Sequence, residues 1–276
     1  MEPATTPTDG PLAGPRTAVV WEVLYAELAR AAGRSLAVVD VGGGTGGFAV
    51  PVAGLGHRVT VVDPSPDALA ALSRRAAEAG VADRVVALQG DGDRLGSVVP
   101  TGSADLVLCH SVLEVADDPA QVVRAVAATL RPGGAVSVLV ANRPAAVLAR
   151  AMAGHLDAAR ALATDPRGRA DARDPLRRRF DTAGAVALLT VAGLRVEAVH
   201  GIRVLTDLIP ATVAEADPET LRELEVRLST ESPYREIAAQ IHLLARRSAD
   251  GRSAPAPAHD PPGAPGDTGG SDVVGG

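Results

Sequence analysis

The sequence contains very little cysteine, no lysine and few aromatic residues, and each shortage narrows what the protein can be. Its one cysteine, Cys109, excludes an intramolecular disulfide and a zinc site built from cysteines. All 27 basic residues are arginine, and aromatic residues make up only 2 % of the chain. Both trends are expected from a G+C-rich coding sequence, so neither is given functional weight.

The sequence also lacks long apolar runs and a strong charge of either sign. No stretch approaches the roughly 20 apolar residues of a membrane-spanning helix. Residues 1–15 lack the basic and apolar regions of a signal peptide. The net charge of −6 gives no overall attraction to nucleic acid or to an anionic membrane. We expect a cytoplasmic protein with no membrane partner and, because no ligand cluster stands out, no metal.

Composition divides the 276 residues into one domain between two flexible ends. Residues 1–13 and the Pro- and Gly-rich residues 249–276 contain few apolar side chains to bury, so we expect both ends to be disordered. Residues 14–248 form the predicted domain. Within it, residues 143–180 interrupt a regular alternation of strands and helices and are interpreted as an insertion.

That alternation predicts the fold class. Five segments have the composition of buried strands, with helical segments between them: 36–41, 58–63, 84–89, 104–109 and 135–141. Strands that alternate with helices form a parallel sheet covered on both faces. Two later strands, 194–204 and 236–246, are expected to pair antiparallel at one edge. The sequence therefore predicts an α/β protein with a Rossmann-like, doubly wound, mostly parallel sheet and an antiparallel edge strand.

A glycine-rich turn follows the first predicted strand, in the sequence VVDVGGGTGGFAV at residues 38–50. A strand, a glycine turn and a helix let backbone N–H groups approach a ligand closely. Asp63 lies 21 residues after Gly42, where a carboxylate can accept hydrogen bonds from both ribose hydroxyls. The glycines fit both the G-x-G-x-x-G spacing of a dinucleotide site and the D-x-G-x-G-x-G spacing of an S-adenosylmethionine site. Both cofactors use the acid, so the turn alone leaves the choice open.

Residues after the other strands separate these two cofactors. Asp40 lies at the carboxyl end of the first strand and can meet the cationic methionine end of S-adenosylmethionine, whereas a nicotinamide site has no cation there. After the third strand, Asp91, Gly92 and Asp93 offer an acid to the adenine amino group and backbone N–H groups to its ring. The segments CHSVLE and LRPGG follow in order, a set typical of class I methyltransferases. We therefore predict S-adenosylmethionine as the cofactor, with Asp40, Gly44, Gly46 and Asp91 among its candidate contacts.

The likeness extends beyond the cofactor motifs. The segments AMAGHLDAA, GIRVLTD, LEVRLSTESPY and IHLLARR resemble the bacterial tRNA 5-carboxymethoxyuridine methyltransferases, which esterify a modified wobble uridine. Matching stretches span about residues 14–247. The resemblance implies that Arg16 meets the methionine carboxylate and that His110 lies near the transferred methyl group. The other contacts that it implies are Gly42, Gly43, Asp63, Gly92 and Asp93.

Candidate substrate contacts lie in the later part of the chain. Asn142, Arg143 and Arg203 are candidates for contact with the substrate, and solvated or capping roles are the alternative. The stretch 160–179 carries seven arginines against three aspartates, a local charge of +4 that suits a phosphate backbone. We expect its residues Arg177, Arg178 and Arg179 to hold tRNA phosphates, on a loop that lies apart from the glycine turn.

Two other functions stay open at this point. A methyltransferase that acts on a small molecule is favoured by the loss of aromatic residues, because Val115 and Ala141 stand where the family has aromatic rings. Ala239 and Gln240 likewise replace an Arg-Tyr pair. A non-catalytic scaffold that binds S-adenosylmethionine is the alternative of another class. No catalytic side chain is predicted beyond positioning, because a carboxylate acceptor is already ionised and needs no general base.

Overall fold

The protein, described by a computed structural model over residues 14–249, folds around one seven-stranded sheet. Residues 1–13 and 250–276, nearly all of the two predicted flexible ends, lie outside the described residues. The strands are β1 (Ala37–Val41), β2 (Arg58–Asp63), β3 (Val85–Gln89), β4 (Ala104–His110), β5 (Leu130–Ala141), β6 (Leu194–Ile202) and β7 (Gln240–Arg247). The α-helices are α1 (Ala18–Ala29), α2 (Ala49–Gly54), α3 (Pro66–Glu78), α4 (Pro119–Thr129), α5 (Arg143–Met152), α6 (Leu156–Thr164), α7 (Thr182–Val191), α8 (Ala211–Ala216), α9 (Pro218–Leu228) and α10 (Tyr234–Ile237).

The strand order is β3-β2-β1-β4-β5-β7-β6, and every neighbouring pair is parallel except the two pairs that contain β7. The Rossmann-like, mostly parallel fold class is thus confirmed, as is antiparallel pairing of the last two strands. The position of the antiparallel strand differs from the prediction, because β7 is second from the edge and β6 is outermost. The interior position agrees with burial and pairing: Ile241, Leu243 and Ala245 of β7 are fully buried, most of β6 is only half-buried, and β7 pairs with both β5 and β6.

Helix starts follow signals that are visible in the sequence. Ser65 precedes α3, and its hydroxyl accepts a hydrogen bond from the amide of Ala68 at 3.2 Å, with Pro66 at the first helical position. Asp118 caps α4 in the same way, followed by Pro119. These caps fix the residue at which each helix begins, and so limit the length of the loops at the carboxyl ends of the strands.

The sheet is covered on both faces by apolar helices. Alternate residues of β4 face opposite sides, as the period of two in a strand requires. Leu106 and Leu108 pack in one core with α1, α2 and α3, whereas Val107 and Cys109 pack in the other with α4 and α7. Cys109 is 1 % exposed, and its burial raises the pKa of the thiol, so it is the small buried residue that the sequence predicts.

The insertion at residues 143–180 contains two helices that sequence reasoning missed, α5 and α6. Both are short, of 10 and 9 residues, and α5 has no buried residue, although the apolar side chains of both helices recur at helical spacing. The insertion returns to its starting point, because the amide of Arg143 donates to the carbonyl of Phe180 at 2.7 Å. It therefore forms a lobe that begins and ends at the carboxyl end of β5.

Within residues 14–249, no helix is long and apolar enough to cross a membrane. In the same residues, no three side chains of His, Cys, Asp or Glu are grouped as ligands of a metal ion.

Candidate active site

The strand order reverses between β1 and β4, and a crevice opens at the carboxyl ends of the parallel strands at such a point. A cavity of about 610 Å³ lies there, which we call the first cavity. Its walls come from the ends of four strands and include five of the predicted cofactor residues: Gly42, Asp63, Asp91, Gly92 and Asp93. These five residues are as much as 51 positions apart in sequence.

Asp63 both holds the glycine turn and faces the first cavity. Its Oδ2 accepts a hydrogen bond from the amide of Gly44 at 2.9 Å, and its Oδ1 accepts one from the amide of Ser65 at 2.9 Å. The residue is 8 % exposed. A carboxylate oxygen has two lone pairs, so each oxygen can accept one more hydrogen bond. Asp63 is thus equipped to accept two hydroxyls while it keeps the turn in place.

Two glycines of the turn, Gly42 and Gly46, are needed for different reasons. A Cβ at Gly42, whose φ is +68°, would lie 2.6 Å from Cγ2 of Val112 across the first cavity. A Cβ at Gly46, whose φ is +82°, would lie 2.3 Å from Cδ1 of Leu72, which is fully buried. Gly42 thus leaves space for a ligand, whereas Gly46 is needed for close packing against α3.

Asp40 is a buried carboxylate directly beneath the glycine turn. It is 3 % exposed, and a Cβ at Gly43 would lie 2.5 Å from its Oδ2. Within residues 14–249 it accepts no hydrogen bond and forms no ion pair. Burial, together with the charge of Asp63, raises the pKa of Asp40 to about 7. A buried carboxylate without a partner is costly, and a ligand cation placed beside it would remove that cost.

His110 belongs to a chain of buried hydrogen bonds that crosses the sheet. Its Nε2 lies 2.8 Å from Oγ of Ser137, which lies 2.8 Å from Nε2 of His242, and Nδ1 of His242 lies 3.4 Å from Nδ1 of His200. The His110 ring also packs edge-on against Phe48, with 4.7 Å between centroids. Burial lowers the pKa of His110 to about 4 and lowers that of His242 as well. Both imidazoles are therefore neutral at physiological pH.

A second, smaller cavity of about 280 Å³ lies between the ends of β5 and β7, helix α5 and the segment after β6; we call it the second cavity. Asn142 and Arg203 line it, together with Asp207. Asp207 pairs with both Arg16 and Arg203. The structure thus brings four predicted residues, Arg16, Asn142, Arg179 and Arg203, to this second cavity and its edge rather than to the first one.

The side chain of Asn142 is held firmly at the base of the second cavity. Its Nδ2 donates to the carbonyls of Glu236 and Ala238, at 2.8 Å each, and the residue is 2 % exposed. Arg143, by contrast, pairs with Asp181, the residue that caps α7. Arg143 therefore ties α5 to α7.

The arginine-rich segment differs from its prediction in two respects. Arg177 lines the first cavity, where it pairs with Asp117, so the expectation that this segment lies apart from the glycine turn is wrong. The reason is that the amides of Arg177 and Arg178 both donate to the carbonyl of Glu114, which fixes the segment beside β4. Arg179 is paired with Asp174 at 2.6 Å, with side chains 11 % and 2 % exposed.

The Arg178 guanidinium donates to two backbone carbonyls, those of Ala116 and Asp117, at 2.9 and 3.0 Å. Arg178 and Arg179 are therefore engaged inside the protein. Of the three predicted phosphate contacts, only Arg177 is more than half exposed, with a side-chain exposure of 57 %.

Sequence reasoning missed Glu225 altogether. It is 0 % exposed, and its carboxylate accepts four hydrogen bonds of 2.5–2.9 Å, from the amides of Val204, Leu205 and Thr206 and from the Thr206 hydroxyl. A glutamate in the helical sequence LRELEVRL resembles a solvated surface residue, so no local signal identifies it. Its role is to anchor the segment that carries Arg203 and Asp207.

Comparison with known proteins agrees with this geometry. Residues 39–138 match a family described as a methyltransferase domain. The chain is 31 % identical over 233 residues to the tRNA 5-carboxymethoxyuridine methyltransferase of Escherichia coli K12, covering 84 % of this chain and 88 % of the relative. It is 35 % identical over 165 residues to a ubiquinone biosynthesis O-methyltransferase of Xanthomonas euvesicatoria, covering 60 % of this chain and 65 % of the relative.

The fold is similar to that of a solved methyltransferase. The crystal structure of magnesium protoporphyrin IX methyltransferase from Synechocystis with bound SAH superposes with a TM-score of 0.57 at 16 % identity, covering 85 % of this chain and 84 % of that one. The glycine turn, the open first cavity and the unpaired Asp40 fit the cofactor of such enzymes. The chain therefore belongs to the family of the bacterial tRNA 5-carboxymethoxyuridine methyltransferases, class I enzymes whose cofactor is S-adenosylmethionine.

Proposed function

We propose that the protein methylates the carboxylate of a modified wobble uridine in tRNA. The observation that carries this proposal is the extent of the similarity to the E. coli tRNA methyltransferase, which covers 84 % of the chain. The match to the ubiquinone biosynthesis O-methyltransferase covers only 60 %. Similarity over the greater length includes most of the elements that surround the second cavity, where an acceptor would lie.

The first cavity supports the proposed cofactor contacts in part, because Gly42, Asp63, Asp91, Gly92 and Asp93 line it. Asp63 would hold the ribose hydroxyls, and Asp91, Gly92 and Asp93 would border the adenine. Asp40 would face the cationic methionine end, beside the backbone of Gly42 and Gly43. The Arg16 guanidinium is paired with Asp207 but its side chain is 58 % exposed, so it can exchange that partner for the methionine carboxylate.

The chemistry requires little of the side chains. When bound, S-adenosylmethionine supplies a methyl group on a good leaving group, so the protein mainly positions donor and acceptor. A carboxylate acceptor is ionised at neutral pH and gives up no proton. His110, whose pKa burial lowers to about 4, is suited to a role in packing and orientation rather than in proton transfer.

The direct test is enzymatic. Purified protein, labelled S-adenosylmethionine and tRNA from a strain that lacks this modification enzyme should yield a methyl ester at the wobble nucleoside, detected by mass spectrometry after nuclease digestion. Mild base should remove the label, because esters hydrolyse and ethers do not. Label that resists base, or no label in tRNA at all, would contradict the proposal.

A second candidate function is supported by the walls of the second cavity. Ala141, Ala145, Ala146, Ala149 and Ala239 leave it lined mostly by small apolar groups. Such walls also suit a small apolar acceptor, as would be expected for a relative of the O-methyltransferases. In that case the enzymatic test gives no label in tRNA, and the acceptor is a metabolite.

Cofactor binding should release a proton below pH 7. Because burial raises the pKa of Asp40 to about 7, the free protein carries this group protonated, and a ligand cation favours the ionised form. Affinity should therefore rise by up to about tenfold per pH unit between pH 5.5 and 7 and then level off. The ligand's own α-amino group, with a pKa of about 7.7–8.0, stays charged in this window.

Calorimetric titration in two buffers of different ionisation enthalpy measures the proton released. Asp40→Asn is the matched control, because it keeps the shape of the side chain and removes its titration. An equal pH dependence in the two proteins would show that Asp40 does not meet the cation.

The structure also changes which arginines should be tested for tRNA binding. Arg150, Arg167 and Arg173 lie in the insertion, are exposed, and form no ion pair within residues 14–249. Replacing all three with alanine should weaken tRNA binding and flatten its salt dependence by up to about three units, if all three meet phosphates. Arg179→Ala is unsuitable, because it breaks a buried ion pair.

Filter-binding measurements at several salt concentrations provide the comparison. Arg58→Ala with Arg74→Ala is the control, since both side chains are exposed and lie outside the insertion. A slope that changes equally in both variants would argue against the insertion as the contact. No binding by the unmutated protein at low salt would remove the tRNA proposal and leave the small-molecule function.

A further inference from the structure

The second cavity contains one cation that is available to a ligand. Among the residues that line it, the charged ones are Arg179, Arg203 and Asp207. Arg179 is already paired in a buried ion pair with Asp174. Arg203 is therefore the remaining positive charge on an otherwise mostly apolar wall.

The guanidinium of Arg203 has unused hydrogen-bond donors. Its Nε is buried without a hydrogen-bond partner, and within residues 14–249 the guanidinium donates no hydrogen bond. Its nearest anion is Asp207, whose Oδ2 lies 3.4 Å from Nε, and Asp207 is shared with Arg16. Buried donors are nearly always paired, and leaving one unpaired costs about 1–3 kcal/mol. The side chain, 28 % exposed, is therefore incomplete without another acceptor.

The backbone of Arg203 is held in an unusual conformation. Its φ is +59°, in the left-handed region that residues other than glycine seldom adopt. Glu225 binds the next three amides, and the carbonyl of Arg203 accepts from the amide of Ala239 at 3.2 Å. Strain that is maintained by surrounding structure is typical of functional positions. Here it keeps Arg203 on the wall of the second cavity.

We propose that Arg203 binds a carboxylate of the methyl acceptor in the second cavity. The planar guanidinium offers paired N–H donors that match a carboxylate, and Asp207 already shows that an acid is accepted beside it. The volume of about 280 Å³ corresponds to roughly nine water molecules at 30 Å³ each, room for one ring with a short acidic side chain. This inference deepens the proposed function and rests on it for the place where the acceptor binds.

The test uses calorimetry with the full chain saturated with S-adenosylhomocysteine. The probes are the nucleoside 5-carboxymethoxyuridine, its methyl ester and uridine. The acid should bind at least about tenfold more tightly than the ester or uridine, since a hydrogen-bonded charge pair contributes about 1.5–3 kcal/mol. Arg203→Gln should abolish that preference. Arg203→Lys, which keeps the charge but loses the paired donors, should retain part of it.

Arg227→Gln is the control, because Arg227 lies on α9 with its side chain 77 % exposed and pairs with Glu231. Unchanged affinity for S-adenosylhomocysteine shows that each variant is folded. Equal affinity of Arg203→Gln and the unmutated protein for the acid would overturn the inference while leaving the proposed function intact.

The inference and the proposed function can fail separately. If the nucleoside acid does not bind but an aryl carboxylate such as 4-hydroxybenzoate does, and Arg203→Gln removes that binding, the inference stands and the tRNA function fails. If no carboxylate probe shows binding that depends on Arg203, the inference is wrong.

Discussion

Replacing Asp63 with alanine should weaken S-adenosylmethionine binding by about a hundredfold. Two losses add in this variant. The proposed contacts to the ribose hydroxyls disappear, and hydrogen bonds to a charged group contribute about 1.5–3 kcal/mol, or roughly ten- to a hundredfold in affinity. The amides of Gly44 and Ser65 also lose their acceptor, so the glycine turn is no longer held in its binding conformation.

Calorimetric titration with S-adenosylmethionine measures this effect, with Asp67→Ala as the control. Asp67 is also an aspartate near the start of α3, but it is exposed and accepts no hydrogen bond within residues 14–249. Asp63→Asn should fall between the two, because an amide keeps one acceptor oxygen. Affinity within about threefold of the unmutated protein in Asp63→Ala would contradict the ribose assignment.

The first cavity could be predicted from sequence because its determinants are local. A strand, a turn and a helix fix the glycine turn, and parallel strands bring their carboxyl ends to one edge. The positions of Asp40 and Asp63 at this edge could therefore be predicted without any knowledge of tertiary packing. The same reasoning placed residues 91–93 at this edge, because they follow soon after β3.

The second cavity could not be predicted in the same way, because it depends on pairings between distant segments. Whether an arginine is free or engaged is decided by its partner, and no local pattern shows that Arg179 meets Asp174 in a buried pair. Nor does the sequence show that β7 lies between β5 and β6, which places Ala239 opposite Arg203. A charged residue that is buried by tertiary contacts has the same sequence signature as a solvated one.

The second large effect is expected from Glu225→Leu, which should destabilise the protein and disable the second cavity together. Leucine has a similar volume but accepts no hydrogen bond, so the amides of Val204, Leu205 and Thr206 lose their acceptor. Each unpaired buried donor costs about 1–3 kcal/mol, which gives a loss of about 3–5 kcal/mol or more. For a domain of this size, about 1 kcal/mol lowers the melting temperature by roughly 2–4 °C, so a decrease of about 10 °C is expected.

Glu223→Leu is the matched control for thermal unfolding, because Glu223 lies two residues away on α9 and is exposed. Below its melting temperature, Glu225→Leu should still bind S-adenosylhomocysteine, since the first cavity is built from β1 to β4. It should lose the preference for a carboxylate probe, because Arg203 is no longer held at φ +59° by the anchored segment. A destabilised variant that keeps this preference would show that Glu225 serves stability alone. Loss of both stability and the carboxylate preference would show that the buried carboxylate also holds Arg203 in position.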